Sequence, residues 1–263
     1  MVFIDQTGFE VALTSVKRIV SIVPSQTELI ADLGCADRLV GVTKFCVHPN
    51  GLIQKIGHVG GTKNLNLEKI RKLQPDLIIG NKEENTKEQI EELRAEFPVW
   101  MSDIVTLDQA INMIQDLGEI LCVQENAHIL IKSIQSVRNT FTPSEKKTAL
   151  YFIWKDPMMV VGNQTFIHSM MEEAGLQNLG QDLGPRYPEL NRDRLTIQPD
   201  WVLLSTEPYP FKQSDVQSFK DIFPDAKILL VDGELFSWYG SRMRLAFPYF
   251  KEVFENRKGL KRN

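Results

Sequence analysis

Two copies of one helix-to-strand unit constrain the fold of this chain more than any other feature. The first copy is Leu73-Gln74-Pro75-Asp76-Leu77-Ile78-Ile79, and the second is Ile197-Gln198-Pro199-Asp200-Trp201-Val202-Leu203. In the first copy, apolar residues at helical spacing precede the proline, which breaks the helix, and a short apolar run follows it. Helices that alternate with short buried strands predict an α/β fold, with mostly parallel sheets flanked by helices.

A long helical stretch separates the two copies. The pattern from Leu107 to Asn139 is helical, with an interruption near Gly118 and Cys122, and the segment Gln124–Asn139 carries one apolar stripe. This arrangement predicts two similar Rossmann-like lobes joined by one long helix. We expect the N-terminal lobe at residues 1–122, the linking helix at 123–141 and the C-terminal lobe at 142–263.

Shorter patterns predict the elements at the start of the chain. Val2–Ile4 and Glu10–Leu13 are typical of the two strands of a hairpin. Arg18–Val23 is a short apolar run that predicts a buried strand. Ser25, with Glu28 three residues later, matches a capping box and predicts that the next helix is capped by the Ser25 hydroxyl.

Composition and charge exclude several classes of protein. Hydrophobic residues make up 43% of the chain and charged residues 24%, as in a globular protein with a core. The net charge of −4 offers no basic face for nucleic acid, and no apolar stretch is long enough to span a bilayer. Three cysteines without regular spacing do not indicate a disulfide framework. Met1–Thr14 lacks the basic start, apolar run and cleavage site of a secretory leader, so the chain is either cytoplasmic or has had its N-terminus trimmed.

Ligands of open parallel sheets bind beyond the carboxyl ends of the strands. The loops predicted there are rich in aromatic and charged residues, whereas loops that only connect elements favour Gly, Ser, Asn and Asp. Such side chains can form the walls of a site for a large, flat, partly apolar ligand. The candidate ligand-binding residues are Lys44, Cys46, His48, Lys63, Glu84 and Asn85 in the first lobe, and Trp154, Arg186, Tyr187, Glu207, Tyr209, Phe211, Trp238, Tyr239 and Arg242 in the second.

The residues alone leave two other kinds of site open. Cys46 and His48 offer two metal ligands, and a third would have to come from elsewhere, such as Glu83, Glu84 or His168. No nucleophile elbow, zinc-protease motif or dinucleotide motif occurs, so catalysis has no positive support. The chain is therefore predicted to be a binding protein that requires no cofactor. The alternative is a cytoplasmic enzyme or chaperone that handles a metal or a cofactor on the same scaffold.

Long, ordered motifs across nearly the whole chain resemble one family. The first half contains RIVSIVPSQTELIADLG, DRLVGVT and VGGTKNLNLEKIRKLQPDLIIG. These runs are similar to the helical-backbone substrate-binding proteins of ABC importers, which are the receptors for cobalamin, ferric siderophores and haem. The second half resembles the cobalamin-binding branch in particular, through DPMMVVGNQTFIHSMMEEAG, RYPEL, QPDWVLLSTEPYPF and DGELFSWYGSR.

The resemblance implies two α/β lobes bridged by one rigid helix, with a cobalamin, siderophore or haem-like metal complex held in the cleft between them. It also implies a periplasmic location and an ABC permease as partner. In this family an acidic residue on each lobe docks to arginines of the permease. Glu68 matches the first, and Arg192 stands at the second position with acidic Asp193 beside it. The tryptophan that stacks on the corrin ring in the first lobe is not matched, because Thr62-Lys63 stands there.

Overall fold

The computed structural model describes residues 1–51, 53–143, 145–191 and 197–255, and these pack into two compact units. The first unit contains Met1–Ile104, Asp108–Gln135 and Tyr239–Arg242, and the second contains Val105–Leu107, Ser136–Trp238 and the chain from Met243 onward. The long helix therefore contributes to both units. Tyr239–Arg242 belong to the first unit, although they lie within residues 142–263, the predicted C-terminal lobe.

An antiparallel hairpin opens the chain, as the sequence predicts. Strand β1 (Val2–Ile4) pairs with strand β2 (Glu10–Ala12). Asp5 is 3% exposed, and its Oδ1 accepts hydrogen bonds from the backbone N–H groups of Thr7 (2.9 Å) and Phe9 (2.8 Å). Its Oδ2 accepts a hydrogen bond from the Arg94 guanidinium, which fastens the hairpin to the rest of the first unit.

A parallel sheet of five strands forms the centre of the first unit. Its strands are β3 (Ile19–Ser21), β4 (Leu39–Val42), β5 (Gly57–His58), β6 (Leu77–Asn81) and β7 (Val99–Ser102). Their order is β5-β4-β3-β6-β7, and every neighbouring pair is parallel. Strands β3, β6 and β7 are buried along their whole length, which explains why they are mostly apolar.

Three short helices connect these strands: α1 (Pro24–Ile30), α2 (Leu67–Leu73) and α3 (Lys87–Arg94). The capping box predicted at Ser25 is wrong. The helix begins one residue earlier, at Pro24, with Val23 at the N-cap and no side-chain cap, so Ser25 lies inside the first turn. Proline is suited to this position because its φ is already helical and it has no N–H to satisfy.

Two longer helices follow the first sheet: α4 (Leu107–Ile120) and α5 (Gln124–Asn139). The predicted interruption between them is a tight turn, in which Cys122 adopts a left-handed φ of 55°. Along α5 the predicted apolar stripe is buried at Ala127, Leu130 and Ile134.

A second sheet forms the centre of the second unit. Its strands are β8 (Lys147–Trp154), β9 (Met159–Val160), β10 (Leu176–Asn178), β11 (Trp201–Ser205) and β12 (Lys227–Val231). The order β10-β8-β11-β12 is parallel, and β9 pairs antiparallel with β8. The helices of this unit are α6 (Phe166–Glu173), α7 (Gln213–Ile222), α8 (Glu234–Ser237) and α9 (Met243–Phe250).

The aspartate of each Gln-Pro-Asp copy has the same role in its unit. The Asp76 carboxylate accepts hydrogen bonds from the backbone N–H groups of Lys17 (2.8 Å) and Arg18 (2.9 Å), just before β3. The Asp200 carboxylate accepts from the N–H and the hydroxyl of Thr148, both at 2.8 Å, at the start of β8. Asp76 directly precedes β6 and binds the chain at the start of β3, the neighbour of β6. Asp200 directly precedes β11 and binds the start of β8, the neighbour of β11. Each aspartate therefore fixes where two neighbouring parallel strands begin.

The part of the chain that the structure describes contains no helix long and apolar enough to cross a membrane.

Asp116 on α4 offers a test of the packing of the first unit. Burial, with a smaller contribution from the Glu119 carboxylate, raises the pKa of Asp116 from 3.8 to about 6. An acid whose pKa is raised by folding destabilises the fold where it is ionised. The penalty is therefore absent below pH 3.8, grows as the pH rises through 6, and is complete above it. We expect Asp116→Asn to raise the free energy of unfolding at pH 7.5 by about 1 kcal/mol, allowing for partial exposure, and to change it little at pH 4.

Urea unfolding at the two pH values measures this difference. Glu119→Gln is the matched control, because it removes only the smaller contribution and should give a smaller gain at pH 7.5. Equal stability of the wild type and Asp116→Asn at both pH values would contradict the prediction.

Candidate functional site

The loop after β4 buries one side chain between exposed neighbours. Phe45 is 52% exposed and Val47 is 47% exposed, whereas Cys46 between them is buried. The ammonium of Lys44 lies 5.0 Å from the centroid of the Phe45 ring. A cation close to an aromatic ring is attracted by its π electrons, so the loop presents a combined apolar and cationic surface. His48 is half-buried at the end of the same loop.

The buried side chain of Cys46 anchors this loop. Its Sγ lies 3.1 Å from Oγ1 of Thr27 on α1 and 3.3 Å from Oγ1 of Thr43. Burial raises the pKa of the Cys46 thiol, so the group is protonated at neutral pH. A buried, protonated thiol is a poor metal ligand. The described residues contain no group of three or more His, Cys, Asp or Glu side chains that could hold a metal ion, so the pair Cys46 and His48 gains no third ligand there.

The loop after β6 is held by a buried amide. Asn85 is 5% exposed, and its Nδ2 donates hydrogen bonds to the carbonyls of Ile22 (3.2 Å) and Thr62 (3.0 Å). The Lys63 ammonium donates a hydrogen bond to the carbonyl of Glu83 on the same loop. Asn85 therefore positions three segments of the first unit, while the stem of the exposed Lys63 lies on the surface.

The glycine before this lysine is required by the backbone. Gly60 has a φ of 108°, and a Cβ there would lie 2.5 Å from the carbonyl oxygen of Asn64. The Gly60-Gly61 turn is closed by hydrogen bonds between Gly61 and Asn64, so it forms a compact turn.

Arg242 makes a two-point ion pair within the first unit. Its Nε and Nη2 donate to the two carboxylate oxygens of Glu28 on α1, at 2.9 and 2.8 Å. The two side chains are 11% and 14% exposed. Gly240, two residues earlier, has a φ of 110°, and a Cβ there would lie 3.3 Å from Leu29. The segment Tyr239–Arg242 is thus packed closely on α1.

Tyr239 is buried in the same segment, at 6% exposure. Burial, and next the nearby Glu84 carboxylate, raise the pKa of the Tyr239 phenol well above its ordinary value, while the hydroxyls of Ser25 and Ser102 partly offset them. The phenol is therefore neutral. Glu84 itself is half-buried on the loop after β6.

In the second unit, an aromatic cluster follows β8 and β11. Trp154 is 40% exposed, and its ring lies edge-on to that of Tyr209 with centroids 5.5 Å apart. Its indole N–H donates to the carbonyl of Asp156 at 3.0 Å, which fixes the orientation of the ring. Phe211 is 2% exposed and packs against Phe219 on α7 with centroids 5.5 Å apart. Trp154 and Tyr209 therefore present the accessible surface, and Phe211 supports them from the core.

Glu207 connects two other candidates of the second unit. Its Oε1 accepts hydrogen bonds from the indole N–H of Trp238 (3.1 Å) and from the hydroxyl of Ser237. The backbone N–H of Glu207 donates to Oγ of Ser205 at 3.2 Å. The carboxylate thus orients the half-buried Trp238 ring.

Arg186 and Tyr187 lie together on another edge of the second unit. Arg186 has a left-handed φ of 62°, and its guanidinium lies 5.9 Å from the centroid of the Tyr187 ring. Its backbone N–H donates to the carbonyl of Asn163 at 2.8 Å, so the pair is held against the loop after β9.

The second unit also has an open groove beside the β8 loop, with a volume of about 610 Å³. Lys155 at its rim makes an ion pair with Asp215 at 2.6 Å. The groove is lined by Lys155, Asp156, Pro157, Met158, Glu189, Leu190, Asn191, Ser218, Phe219 and Ile222.

The two residues predicted to dock a permease have different outcomes. Glu68 lies in the first turn of α2 and is 74% exposed, and its carboxylate pairs with Arg71 at 2.7 Å. Arg71 also pairs with Glu92 and Glu96, so four charges share one exposed face. Asp193 lies outside the described residues.

The candidates chosen from the sequence omit three residues of these sites: the exposed Phe45 and Val47, and Glu28, which is largely buried in its pair with Arg242. The alternation of the loop Lys44–Val47 could have identified the first two, because a buried cysteine between apolar neighbours leaves those neighbours exposed. No local pattern could have identified Glu28, since its partner Arg242 is 214 residues away.

The chain belongs to the periplasmic binding protein family, whose model matches residues 19–222. This family consists of binding proteins, which confirms the predictions of the family and of a chain that is not an enzyme. The vitamin B12-binding protein of Yersinia pseudotuberculosis serotype O:3 (strain YPIII) is 26% identical over 195 residues, which cover 72% of this chain and 69% of that protein.

Solved structures confirm the α/β fold class. The periplasmic vitamin B12-binding protein BtuF of Vibrio cholerae matches with a TM-score of 0.77 at 20% identity, over 89% of this chain and 94% of that one. The periplasmic haem-binding protein HutB of Vibrio cholerae matches with a TM-score of 0.78 at 22% identity, over 92% of this chain and 100% of that one.

The Glu28–Arg242 pair predicts a large stability effect. Glu28→Gln leaves the guanidinium of Arg242 with a neutral partner in a largely buried position, and we expect a loss of about 2–4 kcal/mol in the free energy of unfolding. Glu92→Gln is the control, because Glu92 is 52% exposed in its pair with Arg71 and should cost less than about 1 kcal/mol. Urea unfolding of both variants tests the prediction, and equal losses would show that the buried pair has no special role.

Proposed function

We propose that this chain is the receptor of an ABC-type importer and that it captures a corrinoid- or haem-like metal complex, with vitamin B12 as the first candidate. Family membership supports the class of protein, and relatives named for vitamin B12 and haem support the class of ligand. The observation that carries the proposal is that each unit exposes aromatic side chains beyond the carboxyl ends of its own strands, Phe45 in the first unit and Trp154 with Tyr209 in the second.

These side chains suit a large, flat ligand. Phe45 is 52% exposed and Trp154 is 40% exposed, although water solvates aromatic rings poorly. Such groups are typical of ligand-binding and interaction surfaces, and a conjugated macrocycle stacks well on them. Lys44, Lys63 and Arg186 add cations, which favour the carboxylates or phosphate of such ligands.

The buried candidates have supporting roles in this proposal. Cys46 and Asn85 hold the loops that carry the exposed groups, and Phe211 supports Tyr209. Glu207 orients Trp238. The alternative of a metal- or cofactor-handling enzyme is not favoured, because the family comprises binding proteins.

Titration of the purified protein with cyanocobalamin, cobinamide, haem and a ferric siderophore tests the ligand class. Trp154 is exposed and next to the proposed ligand, so quenching of tryptophan fluorescence reports binding. We expect at least one of these compounds to bind with a dissociation constant of about 1 μM or tighter. Binding of none of them below about 1 mM would overturn the proposal.

Substitution of the exposed rings should weaken binding without unfolding the chain. We expect Trp154→Ala and Phe45→Ala each to raise the dissociation constant about 10-fold or more, because each removes a stacking surface. Leu245→Ala is the control, since Leu245 is also exposed (49%) but lies within helix α9 and not in a loop that follows a strand. Isothermal titration with the ligand found above measures the change. Equal affinities for all three variants would show that the aromatic surfaces do not contact the ligand.

We further propose that the chain acts in the periplasm, where such importers meet their receptors, and that the Glu68 face docks to the permease. Glu68 is exposed in the first turn of α2, and a docking arginine would compete with Arg71 for its carboxylate. Glu68→Gln should therefore reduce stimulation of the importer's ATPase in proteoliposomes several-fold, with ligand affinity unchanged.

Glu88→Gln serves as the control for docking, because Glu88 is an exposed acid in the first turn of α3. The same loss for both variants would indicate a general effect of net charge. No loss for Glu68→Gln would exclude docking through this carboxylate.

A further inference from the structure

Two helix ends meet in the first unit at a pair of cysteines. Helix α1 continues into a turn over Ala31–Cys35, in which Gly34 has a φ of 85°. Helix α4 ends at Ile120, and Cys122 follows in the turn before α5. Cys35 thus ends the turn that follows α1, and Cys122 lies in the turn that follows α4.

Two hydrogen bonds hold these helix ends side by side. Asn126 donates from Nδ2 to the carbonyl of Leu33 at 2.8 Å, and Arg38 donates from Nη1 to the carbonyl of Leu121 at 2.8 Å. The first bond joins the residues before Cys35 to those after Cys122, and the second joins the residues after Cys35 to those before Cys122. These two bonds bracket Cys35 and Cys122, so the segments that carry the two cysteines lie side by side.

The two cysteines differ in access to solvent. Cys122 is exposed, whereas Cys35 is buried, with 0% of its surface accessible. Cys122 also adopts a left-handed φ of 55°, a position at a helix end where glycine is the usual residue. A side chain with a Cβ costs backbone energy there. The sequence pattern does not reveal the pair, because almost ninety residues separate its members.

We propose that Cys35 and Cys122 are a disulfide-forming pair in the first unit. The oxidant is a low-molecular-weight disulfide or a protein disulfide. The exposed Cys122 thiolate attacks one sulfur of that disulfide, which forms a mixed disulfide and releases one thiol. The Cys35 sulfur then attacks Cys122, and the second thiol leaves. Two thiol protons and two electrons pass to the external disulfide, which becomes two thiols.

The neighbouring charges suit this sequence of steps. Burial raises the pKa of the Cys35 thiol, and the Arg38 guanidinium partly offsets that effect. Cys35 is therefore expected to react slowly with dissolved reagents. It can still attack a sulfur that is held beside it. Cys122 is the accessible entry point. Cys46, which is buried with Thr27 and Thr43, is not part of the pair.

Oxidation of the reduced, full-length protein with oxidised glutathione tests the proposal. We expect the intact mass to fall by two hydrogen atoms, and peptide mapping without reduction to link Cys35 to Cys122. Brief alkylation of the reduced native protein should label Cys122 much faster than Cys35 or Cys46. Closing this long loop should also raise the melting temperature of the oxidised protein by several degrees.

Four results would each overturn the proposal: a glutathione adduct that persists on Cys122, a covalent dimer, a link that involves Cys46, or no loss of thiols. Cys122→Ser provides the matched control. This exposed substitution should abolish both the mass change and the oxidation-dependent shift in melting temperature, and a shift that survives in Cys122→Ser would also contradict the pair. The wild-type measurements stand alone if a variant fails to fold.

Discussion

The rest of each unit depends on one carboxylate at the start of its central strands. Asp76 and Asp200 each follow a proline, and each accepts hydrogen bonds from residues at the start of the neighbouring strand or just before it. For Asp200, the N–H and the hydroxyl of Thr148 lower the pKa of the carboxyl, so it is ionised when the sheet forms. Because the strands are parallel, fixing where they start also fixes where their carboxyl ends come together.

The loops at those carboxyl ends then divide between two kinds of side chain. Cys46, Asn85 and Phe211 point into the protein and fasten their loops to hydroxyls, carbonyls or other rings. Phe45 and Trp154 point outward. An exposed ring can offer a defined surface only if its loop is held, since a mobile loop loses conformational entropy on binding. The buried members of the candidate set are therefore part of the binding chemistry, although they need not touch a ligand.

The sequence predicts the elements of this fold well and its long-range contacts poorly. Alternating helices and apolar strands are local patterns. The strands β3, β6 and β11 could therefore be predicted, together with the alternation of helices and strands along the chain. The choice of exposed loops also follows from the parallel sheet. The predicted cap at Ser25 fails for a local reason, because Pro24 already satisfies the requirements of the first helical turn.

Long-range pairs escape sequence reasoning because no periodicity marks them. Cys35 and Cys122 look like two members of an irregular set of three, and only the meeting of two helix ends brings them together. Asn85 is predicted to bind a ligand because it lies in a loop after a strand. The sequence cannot show that its side-chain amide already donates to two backbone carbonyls.

The segment Tyr239–Arg242 makes long-range contacts that also affect how the first unit folds. The first unit includes these four residues, yet they are synthesised after almost the whole of the second unit. Arg242 pairs with Glu28 and Gly240 packs against Leu29, so these two residues of α1 lack those native contacts until the segment is in place. Contacts over such a distance form late because closing the intervening chain costs entropy. The N-terminal residues alone therefore cannot complete the first unit, and its stability depends on a segment encoded near the other end of the chain.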